Sequence, residues 1–250
     1  MRRFLSHKFL FHTLALLLLC LGSAARTQAD PVVLGQVNTF QTGPEGWLIG
    51  FGAGPVPPTP LPIVTGGGPA GAGDNYLLVS ATGLEGPRGR LSAINDTQWA
   101  GNYIAAGVNA ITMDLNNFGP SDLSLRLLVA GPFGPTGPQN IAFLTEAIFL
   151  TAGGGWTSVT FLIGPEQMTA SRGSATAALM NAGVLRLFHN PAPVFAGMPN
   201  AIPLVNAQLG ADNITATAVP EPATLLLGTG LVGVAAKVRQ RRRAKTSDEA

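Results

Sequence analysis

The side chains most able to do chemistry in this sequence are few and scattered. His189 is the only histidine beyond residue 29, and neither a Gly-x-Ser-x-Gly nor a His-Glu-x-x-His pattern accompanies it. One imidazole can act as base for a serine, but it cannot build a histidine-rich metal site. Asn190 and Pro191 follow it, and the bland reading is a strand end. Ten acids lie between Asp30 and Val219. Two carboxylates about 5 to 10 Å apart can hydrolyse a glycosidic bond, yet the sequence places no two of them at that separation. Asp96, Asp114 and Asp122 read as turn or solvent-face residues. Trp47, Trp99, Tyr103 and Trp156 offer apolar ring faces on which sugars stack. Trp47 sits in an apolar run and reads as core. Trp99 and Tyr103 lie in the polar, glycine-containing stretch from Gln98 to Gly107, where exposure fits better than for Trp47; a structural role is still the leading reading, and stacking on a sugar is the alternative.

Positioning such residues falls to the segment between two unusual ends. Of the 15 Lys and Arg, four precede Asp30 and six lie in residues 237–245. The segment from Asp30 to Val219 contains no Lys, and its five arginines against ten acids leave a formal charge of −5. A pI near 9.0 therefore reflects the ends alone. With no basic patch to neutralise phosphates, nucleic acid is not an expected partner. Cys20, the one cysteine, also lies in the N-terminal apolar stretch, so disulfides, thiolate zinc sites and a cysteine nucleophile are excluded from the segment that follows. Hydrophobic content of 46% argues against disorder.

From Val32 onward, short apolar stretches alternate with Gly, Pro, Asn and Asp clusters, the pattern of an all-β domain. Expected strands are 32–40, 47–51, 76–81, 90–94, 110–116, 123–129, 141–150, 157–162, 184–190 and 207–217. That number exceeds what one open sheet carries comfortably, so a two-sheet antiparallel β-sandwich is the expected fold. Alternation is cleanest in Ile111–Leu115 and Leu123–Leu127, and the Asn116–Ser121 turn residues between them predict a hairpin with Arg126 on the solvent face beside Ser124. Residues 55–73 read as a long loop or irregular edge, and Ser174–Leu179 as one short helix.

The N-terminus has a basic Met1-Arg2-Arg3, an apolar run from Phe9 to Leu21, and Thr27-Gln28-Ala29. These are the parts of a secretion signal, with cleavage after Ala29; the secretion translocon and signal peptidase are the implied partners. At the other end Val219-Pro220-Glu221-Pro222 precedes fourteen apolar or small residues, 223–236, and a cluster ending Arg241-Arg242-Arg243. As a helix those fourteen span roughly 21 Å against a hydrocarbon core of about 30 Å, marginal for a permanent anchor. The flanking cations predict a cytoplasmic C-terminus by the positive-inside rule. Two prolines keep secondary structure from running into the membrane and leave an extended, accessible segment.

This order of proline motif, short glycine-containing helix and arginine cluster resembles the sorting signal of the PEP-CTERM family. The resemblance implies recognition and removal of the tail by exosortase, an integral-membrane cysteine protease. It also implies transient membrane anchoring, then delivery to the cell surface or extracellular matrix of a Gram-negative-type bacterium. The domains expected are a signal peptide at 1–29, an exported domain at 30–218 and a sorting signal at 219–245. A signal helix and a transmembrane helix would flank the sandwich.

The middle segment resembles the jelly-roll, carbohydrate-binding-like sandwiches that recur in that family. The resemblance rests on Gly46-Trp47, the stretch from Gln98 to Tyr103 with Ala106-Gly107-Val108, and Ala211-Asp212-Asn213-Ile214-Thr215. By that analogy Asp212 is a ligand of a structural calcium, with Asp74 and Glu45 as weaker partners; no other cofactor is implied. The leading function is a non-enzymatic surface or matrix protein associated with exopolysaccharide or biofilm. A carbohydrate-binding module using Trp99 or Tyr103 is the alternative, and a secreted glycan hydrolase the third.

Overall fold

A computed structural model describes residues 31–49, 58–85, 88–193 and 202–220. Ala29, Glu221, Pro222 and the arginine cluster lie outside these residues, as do the two expected terminal helices. Among the described residues no helix is long and apolar enough to cross a membrane.

In chain order the strands are β1 (Val37–Asn38), β2 (Trp47–Ile49), β3 (Thr59–Pro60), β4 (Ile63–Val64), β5 (Tyr76–Thr82), β6 (Ser92–Asn95), β7 (Ala110–Asn117) and β8 (Leu123–Ala130). They continue as β9 (Phe133–Gly134), β10 (Gly137–Pro138), β11 (Ile141–Leu144), β12 (Ile148–Leu150), β13 (Thr157–Leu162), β14 (Met168–Arg172), β15 (Val184–His189) and β16 (Asn206–Thr217). Helix α1 (Ala175–Met180) precedes β15, with the Ser174 hydroxyl accepting from Ala177 N–H as its N-cap. The first sheet runs β13-β7-β16-β5-β4, with β1 beside β16; the second runs β14-β11-β8-β15-β6-β2-β3, with β12 beside β8. Every pairing is antiparallel. The chain crosses between sheets at β1–β2, β3–β4, β5–β6, β6–β7, β7–β8, β12–β13, β13–β14 and β15–β16, which makes this a jelly-roll-like β-sandwich.

Period-two patterning explains the first sheet. Ile111, Met113 and Leu115 of β7 and Leu77, Val79 and Ala81 of β5 face the shared core, while the residues between them face outward. In β16 the inward set is Ala207, Leu209 and Ala211, then Ile214 and Ala216, so the parity changes midway. A bulge between Asp212 and Thr215 supplies the extra residue, and Asn213 absorbs it at φ 50°.

The second sheet departs from expectation because it is apolar on both faces. Ile94, Leu128, Ala130, Phe143, Val184, Phe188 and Ile202 form a separate core on its outer side. Arg126 is consequently buried rather than solvent-facing: its guanidinium donates to the carbonyls of Asn190, Leu144, Thr145 and Pro191. The expected β7–β8 hairpin is also corrected. β7 pairs with β13 and β16, whereas β8 pairs with β11, β12 and β15, so the turn between them passes from one sheet to the other. That turn packs closely, since Gly119 donates to the Gln208 carbonyl and a Cβ there would lie 2.6 Å from Gln208 N.

Candidate functional site

Two aromatic clusters need to be distinguished. In the first, Asn38 on β1 reaches the core, and its Oδ1 accepts both indole N–H groups, from Trp47 at 2.9 Å and Trp99 at 2.7 Å. Asn38 Nδ2 donates to Glu45 Oε2 and Gln98 Oε1, so every polar end is paired. The Tyr103 hydroxyl donates to the Trp99 carbonyl at 2.8 Å, and burial pushes its pKa above the usual phenol range. Trp99 and Tyr103 are both 0% exposed. Of the two readings the structural one holds and sugar stacking is corrected: both rings lie inside, and Asn102 satisfies the turn beside them, its Oδ1 accepting from Ala105 N–H and its carbonyl from Ala106 N–H.

The second cluster lies on the outer face of the first sheet. Tyr76 stacks on Phe118 with centroids 5.5 Å apart, and Trp156 meets both edge-on at 5.2 and 5.9 Å. Gly210 of β16 forms the floor; a Cβ there would sit 2.7 Å from Phe118, 2.9 Å from Trp156 and 3.2 Å from Tyr76. Trp156 Nε1 donates to the Gly67 carbonyl at 3.0 Å, tying the 66–75 loop to this face. Phe118 remains 42% exposed and Trp156 is half-buried. An aromatic platform open on one side suits the C–H face of a sugar.

Carboxylates adjoin the platform. Asp212 pairs in register with Asp114, and Asn213 bridges them: its N–H donates to Asp212 Oδ1 at 2.7 Å and its Nδ2 to Asp114 Oδ2 at 2.8 Å. Asp212 is fully buried, and its Oδ2 has no hydrogen-bond partner. Burial foremost, then the nearby Asp74 and Asp114 carboxylates, push its pKa up to about 7, against the opposing Asn213 hydrogen bond. Asp74 therefore does lie beside Asp212, while also accepting from Gln41 Nε2 and Ala70 N–H. Glu45 serves elsewhere, accepting from Asn38 and from Phe40 N–H. Among the described residues no three His, Cys, Asp or Glu side chains are placed to hold a metal ion.

Two other features lie apart. A groove of about 400 Å³ between β11, β12 and β13 is lined by Glu146 and Glu166 with Leu144, Ile148 and Phe161. His189 accepts from Ser124 N–H at 3.0 Å, and burial lowers its pKa, which fits a strand-end role.

The last feature is where the chain leaves the fold. β16 ends at Thr217, whose carbonyl accepts from Asn109 N–H at 3.2 Å. Beyond it the Asn109 side chain grips Val219 at two points, accepting from its N–H at 2.7 Å and donating to its carbonyl at 2.8 Å. Sequence reasoning singled out neither Asn109 nor Tyr76 and read Phe118 only as part of a turn. Trp156 was recognised as a stacking residue, but nothing local joined it to the other two.

Residues 218–243 match the PEP-CTERM protein-sorting motif. No curated protein matches the chain. Among solved structures it is similar to CtCBM11, with 15% identity, 80% of this chain and 99% of that one covered, and a TM-score of 0.47. A family 11 carbohydrate-binding module from Clostridium thermocellum in complex with a β-1,3-1,4-mixed-linked tetrasaccharide is also similar, at 15% identity, 76% and 99% coverage and a TM-score of 0.45. An exo-β-agarase follows at 12% identity, 77% and 25% coverage and a TM-score of 0.47.

Proposed function

We propose that this exported protein, whose PEP-CTERM signal at 218–243 marks it for exosortase, is a non-catalytic component of the cell surface or extracellular matrix, held among exopolysaccharide. The observation that carries the reading is the position of the signal. It begins one residue after the last strand of the sandwich, so the cargo of the sorting step is the folded domain itself. A low-charge exterior without lysine, and a core that encloses Trp47, Trp99 and Tyr103, suit a structural cargo. Extracellular polysaccharide fractions from cells with and without exosortase test it. The reading expects the domain in that fraction only when exosortase is active; equal recovery from both would overturn the matrix role.

A second reading is favoured by the Tyr76–Phe118–Trp156 platform, which supports binding of a polysaccharide through ring stacking. Retardation of the chain in gels cast with soluble glycans would support it if Trp156→Ala removes the retardation. A hydrolase would need two cooperating carboxylates, and Glu146 and Glu166 share a groove. Glycan turnover abolished by Glu146→Gln or Glu166→Gln would favour that reading over both others.

A further inference from the structure

The sorting signal and the folded domain overlap. The matched motif starts at residue 218, yet Val219 is still held by the domain through Asn109. The final ladder pair of the sheet is Thr217 with Ala110, reinforced by the Thr217 hydroxyl donating to the Ala110 carbonyl at 3.2 Å. One residue earlier in β7's direction, the Asn109 carboxamide presents the same donor and acceptor pair that a strand residue would. It extends the ladder by one step, to the residue immediately before Pro220.

We infer that Asn109 is a positioning residue for sorting: its two-point grip on Val219 holds the start of the motif against the domain, and exosortase must displace that grip to engage the segment. The inference rests on the sorting reading above. Its physical basis is competition for backbone groups. Enzymes that handle an extended peptide do so largely through main-chain N–H and C=O groups, as in strand addition. The Val219 N–H cannot serve Asn109 and an enzyme at once, and Asn109 already occupies one side of the Val219 carbonyl. Pro220 has no N–H to offer instead. Val219 is 39% exposed, so its side chain is open to a partner while its backbone is engaged. Two exposed hydrogen bonds, each modest in net worth, set the expected size of the effect at about three- to tenfold in rate.

The test follows tail removal from the full chain in the native host by pulse labelling and intact mass. Asn109→Ala is expected to speed removal about three- to tenfold relative to wild type. The Tm of the domain should fall by no more than about 5 °C, since among the described residues the hydrogen bonds of this side chain are the two to Val219. A second variant separates positioning from destabilisation. Insertion of Gly-Ser-Gly-Ser-Ala-Val between Val219 and Pro220 leaves the original Val219 gripped and supplies a second, ungripped Ala-Val before Pro220, so the motif is free and whole, and removal should speed up by the same factor. Asn109→Ala added to the insertion should then change nothing. Equal rates for wild type and Asn109→Ala would overturn the inference while leaving the sorting reading in place. Additive acceleration in the double variant would also overturn it, because the effect would then lie in the fold. Failure of wild type to lose its tail in exosortase-positive cells would overturn the sorting reading itself and the inference with it.

Discussion

The Trp47–Trp99 pair and the Tyr76–Phe118–Trp156 trio are both aromatic clusters, yet they end in opposite places. In the pair, both indole N–H groups point at one side chain, Asn38, which is itself tied to Glu45 and Gln98. The polar atoms are satisfied internally, and the rings close over one another at 6.4 Å. In the trio the one indole N–H points at a loop carbonyl, Gly67, and the rings rest on a glycine instead of on opposing side chains. What separates a core aromatic from a surface platform here is the element that receives the polar end, a distinction that neighbouring polarity in the sequence does not report.

The sharpest way to break this contrast is Trp99→Ala. Loss of a fully buried indole is expected to destabilise the domain by about 3–5 kcal/mol in urea denaturation, with no specific effect on glycan retention under conditions where the variant stays folded. A change below about 1 kcal/mol would mean the ring is not core.

Gly210→Ala should come next. The added methyl cannot coexist with the three rings as placed, so they must shift. About 1–3 kcal/mol of stability should be lost, together with any glycan retention, by the same denaturation and affinity-gel measurements.

Asp212 sharpens the comparison from the polar side of the platform. Its raised pKa means the folded state holds a proton that the unfolded chain releases near 3.8. Its contribution is fully present below that value and is lost as pH rises through about 7. Stability should therefore fall across that window, by at most about 1.4 kcal/mol per pH unit from this group. His189 acts with the opposite sign, since its lowered pKa removes stability as pH falls through the acid range. Comparing wild type with Asp212→Asn isolates the aspartate: the difference between their denaturation midpoints should grow from pH 4 to pH 8, and a constant difference would contradict its buried, protonated state.

The smallest effect on stability is expected from Phe118→Ala, about 1 kcal/mol or less for a ring that is 42% exposed. Retention on a bound polysaccharide should nevertheless drop by at least about 1 kcal/mol, or fivefold, if the platform is the contact. Unchanged retention would assign the trio to packing alone.

How much could be read in advance followed the same physical line. Strands 76–82, 110–117 and 157–162 were legible because each has one core face and one outer face, so alternation survives in the sequence. Leu123–Ala130 kept its strand but lost its predicted outer face, because a second apolar layer covers it and buries Arg126. Met168–Arg172 was missed: only Met168 is buried in this edge strand, and the remaining Thr-Ala-Ser-Arg carries no apolar period. The turn residues at 116–121 announced a reversal but could not say that it joins two sheets, since that choice is made by β13, β16, β11 and β15. Site residues were harder still. Asp212 was singled out and Asp74 does adjoin it, whereas the platform joins residues 76, 118, 156 and 210, whose proximity exists only after the sheet has formed.

The central claim is that the folded sandwich is cargo for a sorting step acting at its own C-terminal edge. Intact-mass spectrometry of the protein from the surface of its native host, with and without active exosortase, tests this most directly. The account predicts a chain beginning near Asp30 and ending near Pro220-Glu221-Pro222, seen only when exosortase is active. A mass that retains Arg241-Arg242-Arg243 in both strains would contradict it and leave a tail-anchored protein in its place.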